Sequence, residues 1–146
     1  MSIFKSMNIS ATGLTAERLR MDVISENISS ASVTRTLAGT PYRRKMVVFE
    51  AQEQDTFKNM LDQARGINTA GNGVEVAGIV EDGSDFKRLF NPEHPDADDD
   101  GYVLMPNVDV VTEMINLMTA SRAYEANVTA LNSSKSMAMK ALEIGR

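Results

Sequence analysis

Cysteine and tryptophan are both missing from this chain, and histidine occurs once. Without thiols there are no disulfides, no thiolate metal sites and no cysteine nucleophile, and the lack is compatible with either redox compartment. A lone His94, set beside Pro95 in a turn-rich stretch, cannot supply a multi-histidine metal cluster or a triad with a base to spare. Long apolar runs are also lacking, so no segment reaches the length of a membrane span. Met1 to Ser10 carries one lysine and no continuous apolar core, so no cleavable secretory signal is expected there. Dense positive charge is confined to Arg43, Arg44 and Lys45 in a chain of net charge −5. That argues against a nucleic-acid partner, because phosphate binding needs a basic footprint.

What the sequence does contain is apolar spacing at both ends. Phe4, Met7, Ala11, Leu14, Met21 and Ile28 fall on one stripe of three- and four-residue steps, with Ile3, Ile24 and Ala31 along one edge and Arg18 and Ser25 interrupting it. Near the C-terminus, Val110, Met114, Leu117, Tyr124, Val128, Leu131, Ala138 and Leu142 occupy heptad a and d positions, broken at Ser121 and Lys135. The expected fold is mainly α with a small β module. Residues 1–35 and 107–146 form an antiparallel coiled-coil domain, and 36–106 form an extended linker plus a β-rich insertion with an acidic loop. The first helix covers 3 to about 30; the last begins beyond Pro106, capped by Asn107 or Asp109, and runs to Gly145.

The middle holds most of the acid, with fourteen Asp or Glu against four basic residues between 50 and 109. Residues 44–51 alternate in a β-branched and aromatic run that predicts a strand. A short helix is expected over 56–65, and Gly71-Asn72-Gly73 announces a turn into a second strand over 74–80. From Phe86 to Pro106, four proline or glycine turn signals predict irregular chain.

Three motifs invite chemistry. Asp96, Asp98 and Asp100 followed by Gly101 resemble the start of a calcium loop, but the twelfth position is Asn107 where a bidentate Glu belongs, and Pro92 and Pro95 replace the entering helix. It reads as a solvated acidic loop, with a calcium-binding or soluble adaptor module as the alternative function. Glu75, Glu81, Asp82 and Asp85 could pair as carboxylates, yet charges beside a turn are ordinarily just hydrated. Glycosylation triplets at Asn8, Asn27, Asn127 and Asn132 fall within expected helix, where amides serve better to fix register between packed helices. No cofactor is implied.

Particular words then become recognisable. Gly13, Leu14, Arg20, Asp22, Ile24, Asn27, Ile28 and Ala31 follow a Gly-Leu start and the pattern Arg-x-Asp-x-Ile-x-x-Asn-Ile-x-x-Ala. Pro106 to Val128, with Glu113-Met114 and Ser121 to Asn127 as its densest words, forms the matching C-terminal signature. Both resemble the bacterial flagellar rod, hook and related axial proteins. Asp85 to Arg88, Asn91 to Asp98 and Gly101 to Val108 look like the middle of the family's proximal-rod branch. The family's Asn-Thr-x-Gly-Tyr after the first helix is blurred here between Ser32 and Tyr42, and 62–73 matches no pattern.

The resemblance implies a non-enzymatic subunit of the periplasm-spanning basal-body rod, exported by the flagellar type III apparatus. Its implied partners are copies of itself, other rod proteins, the export apparatus and surrounding ring components. Expected packing residues are Met7, Leu14, Met21, Ile24, Asn27, Ile28, Val110, Met114, Leu117, Ser121, Arg122, Tyr124, Asn127, Val128, Leu131 and Leu142.

Overall fold

The computed structural model describes residues 3–52, 61, 64 and 71–144. The elements are α1 (Ile3–Ser29), β1 (Lys45–Ala51), β2 (Val74–Glu81), β3 (Lys87–Phe90), β4 (Tyr102–Met105) and α2 (Val110–Ile144). Two long helices flank small antiparallel ribbons, a mainly helical fold with a β module, as the sequence predicts. Among the described residues, no helix is long and apolar enough to cross a membrane. The short helix expected over 56–65 lies, apart from Leu61 and Ala64, outside the described residues.

Hydroxyl residues inside α1 are accommodated by bonding back to the preceding turn: Thr12, Thr15 and Ser25 donate to the carbonyls of Ile9, Ala11 and Met21. Ser29 Oγ and Ser30 N both donate to the Glu26 carbonyl and close the helix. α2 is 35 residues long, about 52 Å at 1.5 Å per residue. Asp109 is its N-cap. One carboxylate oxygen accepts from Val111 N at 3.2 Å and the other from Thr112 Oγ1 at 2.8 Å. The Thr112 hydroxyl, and then the Val111 amide, hold the Asp109 carboxyl below its ordinary pKa.

The chain divides into two compact units. One comprises Met1–Arg18, Phe49–Ala77 and Arg122–Arg146. There a Cβ built on Gly13 would lie 3.2 Å from the Asn127 carboxamide, so the glycine admits a close approach of α2 to α1. The other unit comprises Leu19–Val48 and Gly78–Ser121, and holds Val23, Ile24, Val103, Val108 and Ala120 as buried apolar residues. There α1 and α2 meet at Asn27 and Glu113.

β1 pairs with β2. The ladder is bounded by Asp82 N donating to Arg44 O at 2.8 Å and Gln52 N to Gly73 O at 3.0 Å. The β2 side of that ladder has one residue more than the β1 side, which is what a bulge does. The alternation of exposure along β2 breaks at Ile79 and Val80, both exposed. β3 and β4 form a second antiparallel pair, from Lys87 opposite Met105 to Phe90 opposite Tyr102. This corrects the expectation of irregular chain from Phe86 to Pro106. Three of the four signals sit in the connecting loop, 91–101, and Pro106 directly follows β4, so the two four-residue strands are left intact.

Candidate functional site

The most constrained chemistry lies in the second unit, where α1, β1 and the start of α2 share a buried polar joint. Asn27, with no exposed surface, uses its whole carboxamide. Its Nδ2 donates to Lys45 O at 2.8 Å and Glu113 Oε2 at 3.0 Å, while its Oδ1 accepts from Lys45 N at 2.9 Å and the Tyr42 hydroxyl at 3.0 Å. The side chain therefore grips both backbone groups of the first β1 residue. Glu113 is 1% exposed. Its Oε1 accepts from Arg44 Nη2 at 2.8 Å, Arg44 Nε at 3.0 Å and Asn116 Nδ2 at 3.1 Å. A carboxylate this fully engaged is tolerable in a dry place because its lone pairs are matched by donors, one of them a cation.

Arg44 carries the joint onward. Its Nη1 lies 3.3 Å from Asp82 Oδ2, and its backbone N donates to Asn107 Oδ1 at 2.8 Å. Asn107 Nδ2 in turn donates to Asp82 O at 3.1 Å, so the amide bridges the two chain segments at the end of the β1–β2 ladder. Burial opposes the charge on Arg44, but the hydrogen bonds and charge of Glu113, then of Asp82, outweigh it and raise its pKa. The Ser84 amide, and then its hydroxyl, lower the Asp82 pKa. Burial, and next the charge of Glu26, raise the Tyr42 phenol above its ordinary value, so it stays a donor to Asn27. Stability from that phenol is complete below its unfolded pKa and disappears as strong alkali passes the raised folded one. Lys45 Nζ closes the rim on Glu26 Oε1 at 2.7 Å, the contact that chiefly raises its pKa.

Such a joint positions elements. Asn27 and Glu113 spend their capacity on one another and on the chain around them.

The helix faces differ from the expected stripes by about one residue. Along α2 the least exposed line runs through Glu113, Leu117, Ala120, Tyr124, Asn127, Leu131 and Ser134. Leu117, Tyr124 and Leu131 lie on it, Ser121 and Val128 flank it, and Val110, Met114, Arg122 and Leu142 are exposed. On α1, Ile24 and Asn27 are buried, whereas Met7, Leu14, Met21 and Ile28 are half-buried beside them. The exposed apolar side of α2 in the second unit consists of Val111, Met114, Ile115 and Met118, each 54–66% exposed.

Comparison with known proteins decides the family. Residues 99–144 match the family model described as flagellar basal body rod FlgEFG protein C-terminal. The flagellar basal-body rod protein FlgC of Bacillus subtilis is 47% identical over 150 residues, covering all of both chains. The chain belongs to the FlgC family of flagellar basal-body rod proteins. FlgC of Borreliella burgdorferi is 46% identical over 99% of this chain and 98% of its own, and that of Salmonella typhimurium is 40% identical over the whole of both.

Several of the residues that carry the rod-family resemblance converge on the joint: Asn27 from the first signature, Asn107 and Glu113 from the second, and Tyr42 from the blurred connecting word. Sequence reasoning overlooked Arg44, Lys45 and Asp82. Two signals point to them in hindsight. The only dense basic run opens the first strand, and an acid stands at 113 beside the apolar stripe.

The acidic loop is occupied differently from a cation site. Asp96 Oδ2 accepts from Thr34 Oγ1 at 2.9 Å, and its Oδ1 lies 3.6 Å from Arg35 Nη1. Gly101, at φ 78°, returns the chain through a turn closed by its amide on Asp98 O at 2.8 Å. Among the described residues, no three or more His, Asp or Glu side chains converge, so Asp96, Asp98 and Asp100 do not form one site.

Proposed function

We propose that this chain is a structural, non-catalytic subunit of the flagellar basal-body rod, joined by helix-to-helix contacts to copies of itself and to other rod proteins. The assembled shaft carries torque because many such contacts load together. The reading is supported above all by end-to-end similarity to rod proteins. It is reinforced by the apolar line Val111, Met114, Ile115 and Met118, which its own chain leaves exposed.

Leu117 and Leu131 lie on the half-buried line, so a charge there disturbs folding as well as assembly. Met114→Asp and Ile115→Asp separate the two effects. Each is expected to abolish swimming in soft agar while leaving the far-ultraviolet circular dichroism of the purified chain unchanged. Normal motility with both variants would remove the helix-contact model.

Export runs through the flagellar type III apparatus, with its signal in the N-terminal segment; the family resemblance supports this reading. Deletion of residues 2–20 is expected to stop secretion of the chain into the medium of hook-deficient cells, and continued secretion would overturn that placement.

A further inference from the structure

Leu37 is the most exposed apolar side chain among the described residues, at 111% of its reference area. It stands at the tip of a turn that is held rigidly. Thr36 N and Thr36 Oγ1 both donate to Thr40 O at 2.9 and 2.8 Å, and Gly39 N donates to Thr36 O at 2.9 Å. Gly39 takes φ 79°, a left-handed conformation that lets the chain double back. A leucine presented this way has little backbone freedom left to lose on insertion into a partner.

The first unit contains a matching recess. Ile9, Ala16, Phe49 and Val74 give it apolar walls, Glu17 and Gly71 also line it, and its volume is about 490 Å³. An apolar cavity of about 150 Å³ already accepts a benzene ring, so this one admits a branched aliphatic side chain with room for the turn behind it. Charge agrees as well: Arg35, two residues before Leu37 and 71% exposed, carries a cation that lies 3.6 Å from Asp96 of its own chain, and Glu17 in the recess is acidic.

We propose that Leu37 of one copy inserts into the Ile9–Phe49–Val74 recess of a second copy, with Arg35 approaching Glu17. Knob and recess are different surfaces of the chain, so the contact is heterologous and each copy retains a free knob and a free recess for the next. This rests on the rod-subunit reading and names the contact between copies within it.

The absence of native cysteine makes the test direct. Gly71 has open space where a Cβ would be and Leu37 touches little, so Leu37→Cys and Gly71→Cys leave the fold intact. Purified Leu37→Cys and Gly71→Cys chains are mixed and treated with a short bismaleimide. An adduct with the mass of two copies, at least tenfold more abundant in the mixture than with either variant alone, is expected. Equal yields with one variant alone, or no adduct, overturn the contact. In cells, Leu37→Ser and Gly71→Phe should each abolish swimming with unchanged circular dichroism. Normal swimming of either removes this contact and leaves the rod role standing, whereas normal swimming of both Met114→Asp and Ile115→Asp cells removes the helix-contact model.

Discussion

Replacing Glu113 by alanine is expected to lower the stability of the folded monomer by about 3–5 kcal/mol, on the order of 10 °C in thermal midpoint. The loss comes from what remains. The Arg44 guanidinium, only 22% exposed, loses its main counter-charge, and the Asn27 and Asn116 amides each lose an acceptor. Glu113→Gln keeps the shape and one acceptor oxygen, so its effect is smaller. Combining Glu113→Leu with Arg44→Met removes both charges together and should recover much of the loss, since apolar replacement of a buried pair is often neutral. Urea unfolding followed by circular dichroism measures all three variants. A Glu113→Ala chain within about 1 kcal/mol of the unaltered one would mean that the joint does not hold the unit together.

Asn27→Asp is expected to make the stability of the joint strongly pH-dependent between acid and neutral pH. The substitution puts a second carboxylate about 3 Å from Glu113 in a position without solvent, and removes the donor that held Lys45 O. Two like charges so placed cannot both ionise cheaply, so the pair's folded pKa rises above the unfolded carboxyl values of about 4. A raised folded pKa means stability that is present below the unfolded value and lost as pH climbs through the folded one. The variant should therefore unfold at a much lower temperature at about pH 8 than at about pH 4, an opposite trend to acid denaturation of paired carboxylates. A flat dependence of midpoint on pH would show that the two side chains do not meet.

Period and phase were not equally legible in the sequence. The heptad period of both ends is plain, and it yields the two long terminal helices. The phase is displaced because several of the least exposed helix positions are held by residues that a hydrophobic stripe does not count, Asn27, Glu113 and Ser134 buried and Gly13 and Asn127 half-buried, with the small Ala16 and Ala120 buried beside them. Small side chains let the helix backbones approach, and amides and a carboxylate satisfy one another there, so burial at these positions leaves no apolar signal. β1 and β2 were legible because β-branched residues and Gly71-Asn72-Gly73 frame them. β3 and β4 were not, since Lys87 to Phe90 is exposed throughout and shows no alternation, and the loop between the strands is rich in turn residues. The joint was half legible: family words singled out Asn27 and Glu113, but only three-dimensional placement shows that they bond each other and that Arg44 completes the partners of Glu113.

The grip of Asn27 on Lys45 has a consequence for how this chain meets others. Backbone groups of successive strand residues point to alternate sides. Arg44 O faces β2, so the amide and carbonyl of Lys45 face away from it, toward what would be the open rim of a two-stranded ribbon. An unpaired rim of that kind is a template on which a foreign strand can begin to zip. A single carboxamide from α1, offering one donor and one acceptor, takes the place that strand would occupy and closes the rim at its first residue. Strand-on-strand stacking is thereby blocked at the residue where it would start.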